Sequence, residues 1–303
     1  MSLITEPAST TTTRAGGADG GGGAAPSLDL DAYLACVGWS GERRASADTL
    51  RSLHRAHLHS IPFENLDAVL GSAPSLALPD VEAKLVRGGR GGYCFEQNTL
   101  FAAVLKSLGF HVTMHTARVL RAGGHDAVRP RTHMLLIVRV PGEEGRYLAD
   151  VGFGGATGLL EAVPLVAGTE FRAGPRLHRL VRATEHDGLL DLWVLQAPEA
   201  GVWADQYAFT LDPVAPADLE VLNWYMATSP RSPFSHTLSA HRSTPEGHLA
   251  LRGHTLVATG PDGTRTEREL ADTDEVVRVL ATDFNIAAPE GTRAAVASPT
   301  NRP

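Results

Sequence analysis

Cys94 is the side chain best suited to covalent chemistry in this 303-residue sequence. It directly follows the glycine-rich segment 87–93 (RGGRGGY) and stands where a helix is predicted to begin. Backbone N–H groups and the positive end of a helix dipole favour a thiolate, which is a strong nucleophile. The glycines leave room for a substrate carbonyl beside Cys94, whose own N–H is a candidate oxyanion donor. Cysteines are also common small core residues, and we assign that role to Cys36, on the apolar side of the first predicted helix.

Two further polar side chains follow Cys94 on consecutive predicted strands. His133 lies on the most apolar strand of the chain (RTHMLLIV), where an imidazole needs a hydrogen-bonding partner. Asp150 ends the next strand (RYLAD), before the flexible segment 151–155 (VGFGG), and could reach an adjacent strand. Each residue alone has an ordinary interpretation, as a core histidine and as a turn or cap residue. Together the three indicate a triad in which Cys94 attacks, His133 takes and returns protons, and Asp150 orients the imidazole.

The elements that must position this triad change character along the chain. Up to about residue 110 the apolar spacing predicts helices, over 28–37 after a Ser27 cap, over 46–61, from about 79–80, and over 94–109. Short Val-rich or Leu-rich runs then predict a sheet or barrel, with strands over 111–120, 132–140, 147–151, 177–183 and 189–196. The pattern after Pro216 is mixed, with helices over 218–227 and 274–284 and strands over 248–251, 254–258 and 264–270.

Both ends of the chain have the composition of disordered tails. Residues 1–27 are mostly Thr, Gly and Ala, and residues 287–303 are similar, so neither can offset its ordering entropy. The folded unit between them is predicted to have three parts. These are a helical part over 28–110 with the nucleophile, a β part over 111–215 with the histidine and aspartate, and a mixed part over 216–286.

Composition excludes several function classes. The net charge of -7 has the wrong sign for a protein that coats nucleic acid. No apolar run approaches the roughly 18 to 20 residues that cross a bilayer, and the N-terminal segment lacks the pattern of a secretory signal. Two cysteines cannot form a disulfide framework. We therefore expect a soluble, cytoplasmic protein with no nucleic-acid or membrane partner.

Seven separated motifs, in this order, resemble those of the arylamine N-acetyltransferases. The likeness covers nearly all of residues 28–286, and the departures are confined to the two longer tails. The motifs are 54–67 (HRAHLHSIPFENLD), 90–98 (RGGYCFEQN), 131–134 (RTHM), 150–155 (DVGFGG), 223–225 (NWY), 232–234 (SPF) and 282–286 (TDFNI).

The resemblance implies an α+β fold, with an N-terminal helical bundle, a central β-barrel and a C-terminal α/β lid. It implies a papain-like site at Cys94, His133 and Asp150. It also implies double displacement, in which Cys94 takes the acetyl group from acetyl-CoA as a thioester, CoA leaves, and an arylamine or arylhydrazine collects the acetyl group. Acetyl-CoA is then a donor substrate, and no bound cofactor is expected.

The resemblance also extends to residues around the reacting groups. Positions that line the acceptor pocket in the family match Phe63, Phe153 and Phe234, and Val119 more loosely. The ordinary reading of all four is hydrophobic core, which we favour for Val119. A pair that supports the active site from outside matches Arg90 and Glu64, and a structural salt bridge is the ordinary reading of that pair.

Three other functions remain open from the sequence. An amide synthase of the same family takes an acyl chain from an acyl carrier protein and closes a macrolactam, and the pocket around Phe234 would discriminate the two. A Cys-His-Asp hydrolase would turn over a thioester without an amine. A binding module would keep the fold without the chemistry, but an intact triad argues against it.

Metal and nucleotide sites are not supported. His54 and His57 are three residues apart on a helix, but no third ligand is evident, so packing is preferred. The segment 152–158 (GFGGATG) fails the GxGxxG spacing because residue 157 is threonine. Gln97 follows Cys94 on the same helix and is expected to face away from an oxyanion.

Overall fold

The described part of the chain comprises residues 28–120, 129–185 and 188–297 of a computed structural model. The predicted N-terminal tail, residues 1–27, lies outside the described residues, as do residues 298–303 of the predicted C-terminal tail. Within the described chain, no helix combines the length and the hydropathy needed to cross a bilayer.

Helices dominate the N-terminal part and return near the C-terminus. Asp29 caps the first helix by accepting the Ala32 N–H at 3.0 Å, whereas the expected cap, Ser27, lies outside the described residues. Ser46 caps the second helix by accepting the Thr49 N–H at 3.2 Å. The helices are α1 (Leu30–Cys36), α2 (Ala47–Ser60), α3 (Leu66–Val69), α4 (Leu78–Glu82), α5 (Cys94–Ser107), α6 (Pro216–Thr228), α7 (Thr273–Thr282) and α8 (Thr292–Ala297), with a π-helical turn over Ala83–Arg87 and a 3-10 turn over Pro233–Ser235.

The strands form two antiparallel sheets. The strands are β1 (Phe63–Glu64), β2 (His111–Val119), β3 (His133–Arg139), β4 (Tyr147–Ala149), β5 (Val163–Pro164), β6 (Glu170–Ala173), β7 (Arg176–Glu185), β8 (Leu190–Glu199), β9 (Val202–Phe209), β10 (Ser239–Thr244), β11 (Gly247–Arg252), β12 (Thr255–Thr259) and β13 (Arg265–Glu269). Eight strands, in the order β5-β4-β3-β2-β9-β8-β7-β6, curl into a nearly closed barrel. The other five, in the order β1-β10-β11-β12-β13, form an open sheet.

The short strand β1 joins the N-terminal part of the chain to the C-terminal sheet. Phe63 pairs with His241 of β10 on one side. On the other side, the Glu64 N–H donates to the Gly92 carbonyl oxygen at 3.2 Å. The C-terminal sheet is therefore hydrogen-bonded, through β1, to the segment that directly precedes Cys94.

Helix α5 lies in the largest hydrophobic cluster. Its residues Leu100, Phe101 and Val104 are fully buried and share this cluster with Met134 and Leu136 of β3. Burying side chains of this size stabilises the fold by about 1.5–3 kcal/mol each. Side chains of α1 and α2 belong to the same cluster, so the helical part and the barrel share a core that holds α5 against β3.

Two predictions about the helical parts of the fold are wrong. Residues 292–297, in the segment predicted to be disordered, form α8 because Val296 is fully buried in the cluster around α7. Cys36 is exposed at the end of α1, and its neighbours Tyr33 and Leu34 occupy the buried side of that helix. Strands β6, β9 and β10 were not predicted, because polar residues interrupt their apolar residues.

Candidate active site

Cys94 is the first residue of α5 and is almost fully buried. Glu96, in the first helical turn, accepts the Tyr93 N–H at 3.1 Å and so closes the start of the helix. The segment after β4 approaches closely at Gly152, where an added Cβ atom would lie 2.6 Å from the Cys94 Cα atom. Only glycine fits this approach. The Cys94 sulfur lies 3.9 Å from the Thr132 carbonyl oxygen.

His133 begins β3, and Asp150 directly follows β4, the strand that pairs with β3. The His133 Nε2 atom lies 2.7 Å from the Asp150 Oδ2 atom. Both side chains are buried, with exposed fractions of 4% and 1%. The Cys94 side chain is close enough to the same imidazole to contribute to its raised pKa, and Cys94 and His133 line one cavity. The structure thus brings the three residues of the predicted triad together.

The neighbours of His133 stabilise positive charge on its ring. Burial disfavours the charged imidazole, but the Asp150 carboxylate and the Cys94 side chain outweigh burial and raise the pKa of His133 to about 10. Burial also opposes charge on Asp150, yet His133 and the hydrogen bonds from Gly152 and Asn98 hold the Asp150 pKa below its usual value. At neutral pH the pair is therefore an imidazolium bound to a carboxylate.

Three groups that the sequence analysis did not assign to the site hold Asp150 in place. Asn98, fully buried on α5, donates to the Asp150 Oδ1 atom at 3.2 Å and to a carbonyl oxygen of β3 at 2.8 Å. The Gly152 N–H donates to Oδ1 at 2.9 Å. The His54 Nε2 atom accepts the Asp150 backbone N–H at 3.1 Å, and burial lowers the His54 pKa to about 4, so the ring is neutral. Asn98 follows Cys94 by four residues, so the two lie on the same face of the helix. This spacing alone could have identified Asn98 as a neighbour of the nucleophile.

Two aromatic rings cover His133. The ring centroids of Phe153 and Tyr207 lie 5.3 and 5.1 Å from that of the imidazole. Tyr207 is fully buried, and burial together with the Asp150 carboxylate raises its pKa well above the usual value, so it stays neutral. Because these rings lower the local dielectric, they strengthen the charge pair of His133 and Asp150. Tyr207 was not identified from the sequence because it lies on β9, a strand that was not predicted.

A cavity of about 590 Å³ opens onto this constellation. Cys94 and His133 lie on its wall. The four residues predicted to line an acceptor pocket lie there too, namely Phe63, Phe153, Phe234 and Val119. Val119 is half-buried on the cavity wall, so the core assignment favoured from the sequence is wrong. The Phe63 and Phe234 ring centroids are 5.8 Å apart, and such an aromatic wall suits a flat ring.

Arg90 and Glu64 form the predicted ion pair, with Nε 2.8 Å from Oε1. Arg90 also binds Asp67 at 2.9 Å, and Lys84 binds Asp67 and Glu96 at 2.6 Å each. Three carboxyl groups thus share two cations beneath the start of α5. Burial raises the pKa of Glu96 to about 7, although Lys84 opposes the shift. One carboxyl group of this cluster is therefore half-protonated near neutral pH.

His57 and Gln97 are buried in a separate polar contact. The His57 Nε2 atom lies 2.6 Å from the Gln97 Oε1 atom, and the Tyr33 hydroxyl is 2.9 Å from His57 Nδ1. The Gln97 amide donates to the Pro62 carbonyl oxygen at 2.7 Å, so Gln97 is engaged away from the Cys94 thiol, as predicted. In the described ranges, no group of three or more His, Cys, Asp or Glu side chains could hold a metal ion.

Comparisons with known proteins point to one family. A family model described as N-acetyltransferase matches residues 46–291. An arylamine N-acetyltransferase from Mycolicibacterium smegmatis is 41% identical over 235 residues, which cover 76% of this chain and 82% of the relative.

Two solved structures extend the likeness to the fold. An arylamine N-acetyltransferase from Nocardia farcinica superposes with a TM-score of 0.83 and 42% identity, covering 90% of this chain and 94% of that one. The enzyme from Mycobacterium marinum in complex with CoA superposes with a TM-score of 0.82 and 33% identity, covering 88% and 98%.

Proposed function

This chain belongs to the arylamine N-acetyltransferase family, and from that premise we propose that it moves an acetyl group from acetyl-CoA to an aromatic amine or hydrazine through a thioester on Cys94. The observation that carries the proposal is the contact of Cys94 with the His133–Asp150 pair on the wall of an aromatic cavity. The solved structure of a relative with CoA supports a CoA thioester as the donor.

In the first half-reaction Cys94 becomes acetylated. The Cys94 thiolate, paired with the His133 imidazolium, attacks the carbonyl carbon of the acetyl thioester and forms a new C–S bond. The C–S bond to CoA breaks, and the departing CoA sulfur takes the proton from His133. Asp150 keeps the ring in the tautomer and orientation that both proton transfers require. CoA then leaves the cavity.

In the second half-reaction the aromatic amine replaces CoA in the same cavity. Its nitrogen attacks the carbonyl carbon of the Cys94 thioester, and His133, now neutral, takes the proton that the nitrogen loses. The C–S bond to Cys94 breaks, which releases the acetylated amine and restores the thiolate–imidazolium pair. Phe63, Phe153 and Phe234 are placed to hold the aromatic ring during this step, and the half-buried Val119 borders the same space.

The test is to mix the protein with acetyl-CoA without an acceptor and to map the adduct by mass spectrometry. A gain of one acetyl group on the Cys94 peptide is expected, and an added arylamine should remove it. Because Cys36 is exposed, the experiment is done in a Cys36→Ala background, with Cys94→Ala as the matched variant that keeps the fold but forms no adduct. An adduct elsewhere, or none, contradicts the proposal.

The same experiment separates the alternative functions. A hydrolase would lose the acetyl group from Cys94 without any amine. An amide synthase would accept long acyl chains from an acyl carrier protein in preference to acetyl-CoA. A panel of short and long acyl thioesters, each with and without an arylamine, distinguishes the three.

A further inference from the structure

The five-stranded sheet contributes one polar side chain to the wall of the active-site cavity. His241 of β10 lies on that wall and pairs across the sheet with Phe63, whose ring centroid is 5.5 Å from that of the imidazole. Ser239 and Ser243 lie on the same face of β10, because side chains alternate along a strand. His248 of β11 pairs with Ser243 and extends this polar face.

A chain of hydrogen-bond contacts runs through these side chains. The His241 Nε2 atom lies 3.1 Å from the Ser239 Oγ atom, and the His241 Nδ1 atom lies 3.3 Å from the His248 Nε2 atom. The His248 Nδ1 atom lies 3.2 Å from the Ser243 Oγ atom. Arg176 of β7 ends the chain, with Nη2 2.9 Å from Ser243 Oγ and 3.4 Å from His248 Nδ1.

Arg176 sets the direction of this chain because a guanidinium group only donates. Burial lowers the Arg176 pKa to about 10, so the group is charged at neutral pH. Arg176 Nη2 donates to Ser243 Oγ and also to His248 Nδ1. That nitrogen must accept, so the neutral His248 ring carries its proton on Nε2 and donates to His241 Nδ1. The His241 ring then carries its proton on Nε2, as a donor at the cavity wall.

The rest of the cavity wall favours an anion. Among the described residues that line it, Arg231 carries positive charge, and none is a carboxylate. The apolar part of the same wall holds phenylalanine rings, including Phe63 beside His241. A flat aromatic ring with a negatively charged substituent fits both kinds of surface.

We propose that His241 determines acceptor specificity by donating its Nε2–H to a carboxylate on the ring of the aromatic amine. The inference rests on the proposed function, since it concerns the second half-reaction at the same cavity. When the acceptor enters, the donor turns from the Ser239 hydroxyl to the carboxylate, because a hydrogen bond to a charged acceptor is the stronger one. His241 binds the acceptor and takes no part in the transfer of the acetyl group.

The experiment compares kcat/KM for 4-aminobenzoate and for the neutral 4-aminobenzamide. The variant His241→Phe keeps a ring against Phe63 but removes the donor, and we expect the carboxylate preference to fall at least about tenfold relative to the unaltered chain. His241→Gln, which keeps an N–H donor, is expected to retain most of the preference. Ser239→Ala removes only the competing acceptor and is expected to keep or raise the preference. For each variant, the ratio of kcat/KM for 4-aminobenzoate to that for 4-aminobenzamide is divided by the same ratio in the unaltered chain. This division cancels the difference in intrinsic reactivity between the two amines.

Three outcomes overturn the proposal: an unaltered chain that does not prefer the carboxylate, an unchanged ratio in His241→Phe, or an equal fall in Ser239→Ala. If His241→Phe does not fold, His241→Leu replaces it in the same comparison. Formation of the Cys94 adduct from acetyl-CoA precedes acceptor entry and is measured separately. Its absence in the unaltered chain would refute the proposed function, whereas a failure of the acceptor ratio refutes only the role of His241.

Discussion

The two sides of the active-site cavity are built in opposite ways. The catalytic side comes from α5, β3 and the end of β4, and its polar groups are buried and held by several hydrogen bonds each. The acceptor side comes from β1, β10 and the turn over Pro233–Ser235, and its side chains Phe234 and His241 are only half-buried. The reacting groups are therefore fixed by the core, whereas Phe234 and His241 lie where a substitution disturbs the core less. Phe63 is the exception on the acceptor side, because it is buried in the core.

This difference predicts where substitutions act. A change on the catalytic side should reduce reaction with every substrate and also lower stability, because it leaves buried polar groups without partners. A change on the acceptor side should alter the relative rates of different amines.

The largest effect is expected for His133→Gln, which should lower turnover with every acceptor by about 10²–10⁴-fold, the usual effect of losing a general base. In the unaltered chain the His133 pKa of about 10 keeps the ring charged beside the Cys94 sulfur throughout the neutral range. The rate of Cys94 alkylation by iodoacetamide at pH 7, measured in the Cys36→Ala background, gives a second readout of this charged neighbour.

The same measurement provides the control for that prediction. In His133→Gln the adjacent cation is gone, so alkylation of Cys94 at pH 7 should be slower than in the unaltered chain. Alkylation at the unaltered rate in His133→Gln would remove His133 as the base and would break the contrast between the two sides.

A smaller effect is expected for Asn98→Ala. The substitution removes a donor to Asp150 and a donor to a buried carbonyl oxygen of β3, so the free energy of unfolding should fall by about 1–3 kcal/mol. Turnover should fall by a similar factor for all acceptors. Urea unfolding measures the first effect, and Ser107→Ala, at an exposed position of the same helix, serves as the control expected to stay within about 0.5 kcal/mol. Equal stability of the two variants would contradict the prediction.

The smallest effect concerns pH. The Glu96 pKa of about 7 in the folded chain lies above the roughly 4.3 of an unfolded glutamate, so the folded chain binds more protons between these values. Glu96 therefore makes the free energy of unfolding fall as pH rises from about 4.5 to 7, and Glu96→Gln should remove that contribution. Urea unfolding of both proteins from pH 5 to 8 gives the difference between their free energies of unfolding. This difference should change with pH up to about pH 7 and stay constant above it. A difference that is constant with pH would refute the assignment.

The sequence predicted the three residues of the triad and the phenylalanines of the acceptor side, but not His241. Cys94, His133 and Asp150 follow from local signals, namely a glycine-rich helix start and two consecutive strands that pair. The pairing of Phe63 with His241 joins residues far apart in the chain, through a strand of two residues. No local pattern specifies such a contact, because its register is set by tertiary packing.

His241 was missed for a second, related reason. Strand β10 (SAHRST) has little apolar content, so neither periodicity nor composition marks it as a strand. The hydrogen bonds of its polar face depend on Arg176, which precedes the strand by more than sixty residues and lies beside Ser243 only in the folded chain. Buried polar contacts of this kind depend on the tertiary structure and cannot be predicted from the spacing of residues in the sequence.

The two-residue strand β1 also limits how relatives of this protein can be recombined. An exchange of C-terminal parts between two homologues, made to transfer substrate preference, would replace β10 while leaving its partner Phe63 behind in the host sequence. Since the same short strand is bonded to Gly92, a mismatch there would propagate to the nucleophile two residues later. A functional hybrid has to carry the tripeptide 62–64 along with the C-terminal sheet, although the two are separated by more than 150 residues in the gene product.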